Sequence, residues 1–273
     1  MATRIEQTFA DLRQAHQMAF MPFVTAGDPD MAATQELIRT LGSTGVDLIE
    51  IGFPYSDPIA DGPVIQSSYT RALNKHLTVH QIFDGIRELP TDELPPLLAM
   101  VSFAIIFRIG TESFLQQCKD VGFSGLIVPD LPGDEAGELF AKVQAAGLDL
   151  IQLVAPTTPR ERVRQILKSC SGFVYCIAVA GTTGTRDTIA SSLFEQLRWL
   201  REETSLPLAV GFGISKPEHV DPLRELADGV IVGSGIVKHL QQLTDHPEQQ
   251  AAAMQEVRDL SNAMVAATHG ASA

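Results

Sequence analysis

Only three cysteines occur in this 273-residue chain, Cys118, Cys170 and Cys176. They lack Cys-x-x-Cys spacing and leave an odd count, which fits reduced thiols in a cytoplasm rather than a disulfide framework. Positive charge is scarce too: 20 Lys and Arg stand against 33 Asp and Glu, a net charge of −13. A surface that acidic repels nucleic acid and anionic membrane, so neither is expected as a partner. No unbroken apolar run reaches membrane-spanning length, and the opening Met-Ala-Thr-Arg-Ile-Glu-Gln lacks the pattern of a signal peptide, so a cytoplasmic location is expected. Linkers, low-complexity tracts and a fixed sequence period are all missing. No Lys lies within or at the end of a candidate strand, which argues against a Schiff-base aldolase. His76 and His80 are spaced i, i+4, but Leu77-Thr78-Val79 between them lacks the Glu of a metalloprotease motif, and no third ligand is near. Solvated histidines at a helix start are the better reading there, and no metal is expected.

What is present is apolar material, 45% of the chain, arranged in alternation. The spacing of Ile5, Phe9 and Leu12 predicts a leading amphipathic helix over residues 3–15. Strand patterns then occupy 19–25, 46–53, 97–103, 125–128, 148–154, 173–179, 208–211 and 229–232. Helical patterns lie near 31–43, 78–89, 111–121, 135–146, 159–169, 189–203 and 217–226, with a closing helix or two from Ile236 and from Pro247 to Ala267. Asp30, Thr78, Thr111 and Ser215 read as caps, the last followed by Lys216-Pro217. Eight strands alternating with helices predict an α/β fold: one (β/α)₈ TIM barrel over residues 1–273 with an extra N-terminal helix. An open doubly wound sheet needs fewer strands and a nucleotide fingerprint, whereas Gly211-Phe-Gly213 and Gly233-Ser-Gly235 each lack the third Gly.

The run from Val46 to Ser67 carries most of the chemistry. Period-2 alternation puts Leu48, Glu50 and Gly52 on one face of the strand and Ile49, Ile51 and Phe53 on the other. A carboxylate on a buried face is paired, neutral, or kept for chemistry. Eleven residues on, Asp61 lies in a loop stiffened by Pro54, Pro58 and Pro63. A buried carboxylate at a strand end with a second on a rigid loop above it makes an acid–base pair. The structural reading stays open beside it: Glu50 satisfied by backbone N–H groups or an Arg, and Asp57 and Asp61 as turn formers or caps. Three Gly-rich turns, at 181–185, 211–215 and 233–235, follow the sixth, seventh and eighth strands. On one barrel sector such turns bind phosphate through bare N–H groups without a basic residue. Tyr175 and Phe212 read either as core or as pocket lining. The chemistry left is acid–base work on a phosphorylated small molecule, without metal or covalent intermediate.

Five motifs resemble the tryptophan synthase alpha chain family over nearly the whole length. They are Met21-Pro-Phe-Val-Thr-Ala-Gly-Asp-Pro29, Leu48-Ile-Glu-Ile-Gly-Phe-Pro-Tyr-Ser-Asp-Pro-Ile-Ala-Asp-Gly-Pro63, Val128-Pro-Asp-Leu-Pro132, Gly211-Phe-Gly-Ile-Ser215 and Val232-Gly-Ser-Gly235. The resemblance implies retro-aldol cleavage of indole-3-glycerol phosphate to indole and glyceraldehyde 3-phosphate. It also implies a beta chain partner in an alpha2-beta2 heterotetramer; no cofactor is expected in this chain, and pyridoxal phosphate belongs to the beta partner. By matching position, Glu50 takes the family's catalytic acid–base role and Asp61 faces the indole N–H. Gly184, Gly213, Gly233 and Ser234 match the phosphate cradle, and Phe23, Tyr175 and Phe212 match pocket residues. Thr183 matches the threonine that meets the second carboxylate when the loop after strand six closes.

One stretch departs. After strand three the family usually carries a Tyr-Tyr-Asn-Pro or Tyr-Ala-Asn-Leu run, where this chain has Ser102-Phe103-Ala104-Ile105. The family's first Tyr lies near the substrate and its Asn at the beta contact, so the departure bears on pocket shape and on coupling. It gives some weight to a free-standing lyase that releases indole. A non-catalytic activator of the beta chain is the third reading, and the retained Glu50 and Asp61 argue against it.

Overall fold

Eight short strands pair in sequence order, every neighbour parallel, and the last closes on the first. They are β1 (Ala19–Thr25), β2 (Ile49–Gly52), β3 (Leu97–Met100), β4 (Phe123–Ile127), β5 (Asp149–Val154), β6 (Val174–Ile177), β7 (Leu208–Gly211) and β8 (Gly229–Val232). The protein is thus an α/β TIM barrel, seen in a computed structural model that describes residues 2–58, 61–178, 191–211 and 213–270, with the backbone alone at 191.

The alternation of side chains along each strand sorts the apolar residues into two bodies. Ile49, Ile51 and Phe53 point outward into a large cluster shared with the surrounding helices. Leu48 joins Met21, Phe23, Leu98, Met100, Ile127, Ile151, Phe173, Tyr175, Ala209 and Ile231 inside the barrel. The leading helix α1 (Arg4–Gln14) adds Ile5, Phe9 and Leu12 to that inner cluster, so it covers one mouth of the barrel. Phe9 meets Phe173 at 5.6 Å between ring centroids, and Thr3 donates to the buried Asp149 at 2.6 Å.

Between strands come α2 (Met31–Gly42), α3 (Pro63–Asn74), α4 (Val79–Arg87), α5 (Phe103–Ile109), α6 (Thr111–Asp120), α7 (Gly137–Ala145), α8 (Arg160–Leu167) and α9 (Ser191–Glu203). After β8 come α10 (Ser234–Val237) and α11 (Gln250–His269). Asp30 and Thr78 cap their helices as read from sequence. Elsewhere the structure differs. Helix α3 follows the proline-rich loop directly, with Pro63 in its first turn and Ile65, Ser68, Tyr69 and Ala72 on its buried face. The third strand ends at Met100, because Ser102 accepts the Ala104 N–H and caps α5. The expected helix at 217–226 is two 3₁₀ turns, Pro217–His219 and Asp221–Leu223. Pro222 has no N–H, and its ring would strike the carbonyl four residues back, so an α-helix cannot run through it. Thr111 is the first helical residue rather than a cap, after Gly110 at φ +92°.

Candidate active site

Strand register sets the site. Phe23 of β1, Glu50 of β2 and Leu98 of β3 are register partners across neighbouring strands, so all three lie at one level of the barrel. Above that level a cavity of about 190 Å³ opens at the C-terminal ends of the strands. Phe23, Glu50, Asp61, Gly62, Ile65, Met100, Tyr175, Gly213, Ile214, Ile231, Gly233 and Ser234 line it. Seven of the residues singled out from sequence therefore share one space: Phe23, Glu50, Asp61, Tyr175, Gly213, Gly233 and Ser234. Thr183, Gly184 and Phe212 lie outside the described residues.

Glu50 is fully buried, and neither carboxyl oxygen has a hydrogen-bond partner among the described residues. The structural alternative, a carboxylate tied down by N–H groups or an Arg, has no such partner there. Burial, and secondarily the charge of Asp61, push the Glu50 carboxyl up to about 8 from an ordinary 4.5. Asp61 is held on the loop above, half-buried, with the Tyr55 hydroxyl donating to it. Burial lifts it to about 6, against the lowering effect of that hydrogen bond. Asp61 ionises first, and its charge adds to the burial that keeps the proton on Glu50. At neutral pH the site thus presents one carboxylate and one carboxylic acid.

Opposite the carboxyls the lining is backbone. Gly213 adopts φ +88°, a conformation only glycine takes without strain, and a β-carbon there would meet nothing within 4 Å. Gly233 immediately precedes α10, and Ser234 opens it. The first N–H groups of a helix have no partner within it, so this edge offers donors to an anion. Apolar side chains, Phe23, Ile65, Met100, Ile214 and Ile231, form the remaining wall, suited to a flat aromatic group. Tyr175 stacks over Gly211, where a β-carbon would overlap its ring.

A solved structure of the alpha subunit of tryptophan synthase from Legionella pneumophila superposes with a TM-score of 0.87 at 32% identity, covering 98% of this chain and 99% of that one. The family model described as "Tryptophan synthase alpha chain" matches residues 9–267. The chain belongs to the tryptophan synthase alpha chain family. The tryptophan synthase alpha chain of Gloeobacter violaceus is 45% identical over 254 residues, 93% of this chain and 91% of that one. That of a Picosynechococcus species is 42% identical over 255 residues, 93% and 96% of the two chains. A tryptophan synthase structure from M. tuberculosis in its aminoacrylate-bound form gives a TM-score of 0.85 at 28% identity, over 98% and 100%. With the family come a lyase activity and a place in tryptophan biosynthesis. No helix among the described residues is long and apolar enough to cross a membrane.

Sequence reading missed part of the lining. Met100 and Ile231 follow from the same alternation that exposed Glu50, extended to β3 and β8. Ile65 required seeing α3, signalled by Pro63 in a first helical turn and by inward residues at i, i+3 and i+4. Tyr55, which holds Asp61, had no signal beyond its place in the loop. The divergent 102–105 run does not line the cavity. Ser102 donates to Asp130 at 2.6 Å, and the Phe103 N–H binds the same carboxylate at 2.8 Å. Ser102 and Ala104 instead line a neighbouring surface groove with Tyr55, Asp57, Arg108 and Asp130. His80 pairs with Asp84 at 3.2 Å on the surface of α4.

Proposed function

We propose that the chain, as one barrel domain, cleaves indole-3-glycerol phosphate to indole and glyceraldehyde 3-phosphate. The observation that carries this reading is the buried, unpartnered Glu50 sharing one cavity with Asp61 at the strand ends, where burial raises both carboxyls and Glu50 more. Breaking the bond between indole C3 and the glycerol carbon needs a proton delivered to C3 and a proton removed from the hydroxyl on the departing carbon. Glu50, neutral at rest, supplies the first from its carboxyl. The ring nitrogen then carries positive charge, which the Asp61 carboxylate offsets while accepting the N–H. As the bond breaks, its electron pair returns to the indole ring, the hydroxyl oxygen forms the aldehyde carbonyl, and Glu50 takes the hydroxyl proton. The protons balance and Glu50 is restored. General acid–base catalysis of this kind contributes about 10²–10⁴-fold.

Gly213, Gly233 and Ser234, with Gly184, hold the phosphate through N–H groups and the Ser hydroxyl. Phe23, Tyr175 and Phe212 hold the indole, and Thr183 meets Asp61 on closure. The partner is a tryptophan synthase beta chain carrying pyridoxal phosphate, in an alpha2-beta2 heterotetramer in the cytoplasm. The surface around Ala104 supports that docking: Phe107 is 76% exposed on α5, the helix that contributes Ala104 and Arg108 to the groove. Indole release is measured for the purified chain alone and with its own beta chain. Slow release alone that rises with the beta chain is expected. Full activity without it indicates a free-standing lyase, and no release in either case indicates a non-catalytic activator.

A further inference from the structure

Glu50 is not the only polar group buried without a partner at this end of β2. Tyr69, on α3, is 1% exposed, and its hydroxyl has no hydrogen-bond partner among the described residues. Its neighbours on α3 are tied down. Ser68 shares a 2.7 Å hydrogen bond with Thr25 of β1, and Arg71 grips the buried Asp28 with bonds of 2.8 and 2.6 Å. Ile65, one turn earlier, lines the cavity. So held, the Tyr69 hydroxyl presses on Gly52, where a β-carbon would lie 2.6 Å from it. Gly52 and Glu50 share the inner face of β2, two residues apart, a step of about 6.6 Å. The Glu50 side chain, with three rotatable bonds, covers most of such a step, and the length of a hydrogen bond covers the rest. A phenol donor and a carboxyl acceptor, both unpaired, thus lie one strand repeat apart.

Packing accounts for the ring of Tyr69 but not for its hydroxyl. Phenylalanine would fill the same volume, and would meet Tyr55, 5.6 Å away between centroids, equally well. It would also avoid burying an unpaired polar atom, which is unfavourable. A donor left unpaired in the resting site meets a far stronger acceptor when Glu50 ionises during the reaction, because a carboxylate accepts more strongly than a neutral carboxyl. We propose that Tyr69 is a positioning residue that donates a hydrogen bond to the Glu50 carboxylate once Glu50 has released its proton, holding it toward the substrate hydroxyl. This inference rests on the acid–base role of Glu50 proposed above.

The phenol keeps its own proton throughout, since burial and the neighbouring carboxylates Asp61 and Glu50 hold it well above the ordinary range. The other ionisable groups facing Glu50 are Asp61, whose charge opposes its ionisation, and Tyr175 of β6. Tyr55 faces Asp61 instead. No Lys or Arg lines the cavity among the described residues. Tyr69 is therefore placed to moderate the repulsion that Glu50 meets on ionising beside Asp61.

The test is Tyr69→Phe. The Glu50 carboxyl is titrated by carbon-13 NMR in the free protein, its resonance assigned by its loss in Glu50→Gln, and indole release is measured alongside. Removing a donor to the charged form should raise the Glu50 midpoint by about one pH unit. It should lower kcat about tenfold and leave KM within about twofold, because the bond forms after substrate is bound. The melting temperature should stay level or rise, since no bond is lost in the resting state. An unmoved or lowered midpoint, or an unmoved kcat, overturns the inference. With Glu50→Gln inactive, that failure falls on Tyr69 alone; a Glu50→Gln variant that still releases indole removes both the acid–base reading and this inference.

Discussion

Replacing Glu50 with leucine exchanges a buried carboxyl for an apolar group of similar size, and the consequence for stability depends on pH in a way the structure specifies. In the unfolded chain Glu50 ionises near 4.5, and in the fold it holds its proton to about 8. An acid whose folded value is raised contributes its full stability below the unfolded value and loses it as pH climbs toward the folded value. The span from 4.5 to about 8, at about 1.4 kcal/mol per pH unit, amounts to on the order of 5 kcal/mol. Asp61, lifted to about 6, and Asp28 and Asp149, also raised by burial, act in the same direction. They are present in both proteins and largely cancel in the comparison. Urea denaturation of wild type and Glu50→Leu across roughly pH 5 to 9 therefore isolates the one group. The wild-type curve should fall more steeply than the variant's by about 1.4 kcal/mol per pH unit up to about pH 8, with the two running parallel above it. Parallel curves throughout would refute the claim that Glu50 is neutral in the folded protein. The variant should release no measurable indole, so the position would give up function as it gains stability.

Two further substitutions probe the phosphate edge and the partner surface. Gly233 sits at φ −96° with its nearest would-be neighbours at 3.8 Å, so Gly233→Asp fits without strain but sets a negative charge where the phosphate is placed; KM should rise more than tenfold, about 1.4 kcal/mol, and an unchanged KM would move the phosphate elsewhere. Ala104, exposed near the start of α5, has no side-chain polar group to offer a beta chain, so Ala104→Asn should improve activation by a foreign beta chain by up to about tenfold. Strong activation of the unmodified chain by a foreign beta chain would show that position 104 does not control coupling.

Period was the strongest signal in the sequence, and it located what depends on period. The inward face Leu48-Glu50-Gly52 and the outward face Ile49-Ile51-Phe53 were legible because a buried strand in a barrel has two apolar sides with different neighbours. What period cannot show is which residues from distant segments meet. Tyr55 binding Asp61, and Tyr69 lying against Gly52, depend on the angle at which α3 leaves a proline-rich loop, and tertiary packing sets that angle. The helix itself was hidden by its own cap: Gly62-Pro63 reads as more loop until the inward spacing of Ile65, Ser68 and Tyr69 is counted. Pro222 misled in the opposite way, since the apolar spacing around it looked helical while its missing N–H forbade an α-helix. At 102–105 the departure from the family was visible, but its place was not. The chain turns into α5 at Ser102, which carries Ala104 away from the Glu50 cavity and into the neighbouring groove.

The central claim is that Glu50 moves the protons in cleavage, and Glu50→Gln tests it most directly because the amide keeps the shape and lacks the exchangeable acid. Indole release from indole-3-glycerol phosphate should fall by about 10²–10⁴-fold, with circular dichroism and urea midpoint at neutral pH no worse than wild type. A folded variant that keeps more than about a tenth of wild-type turnover would contradict the account.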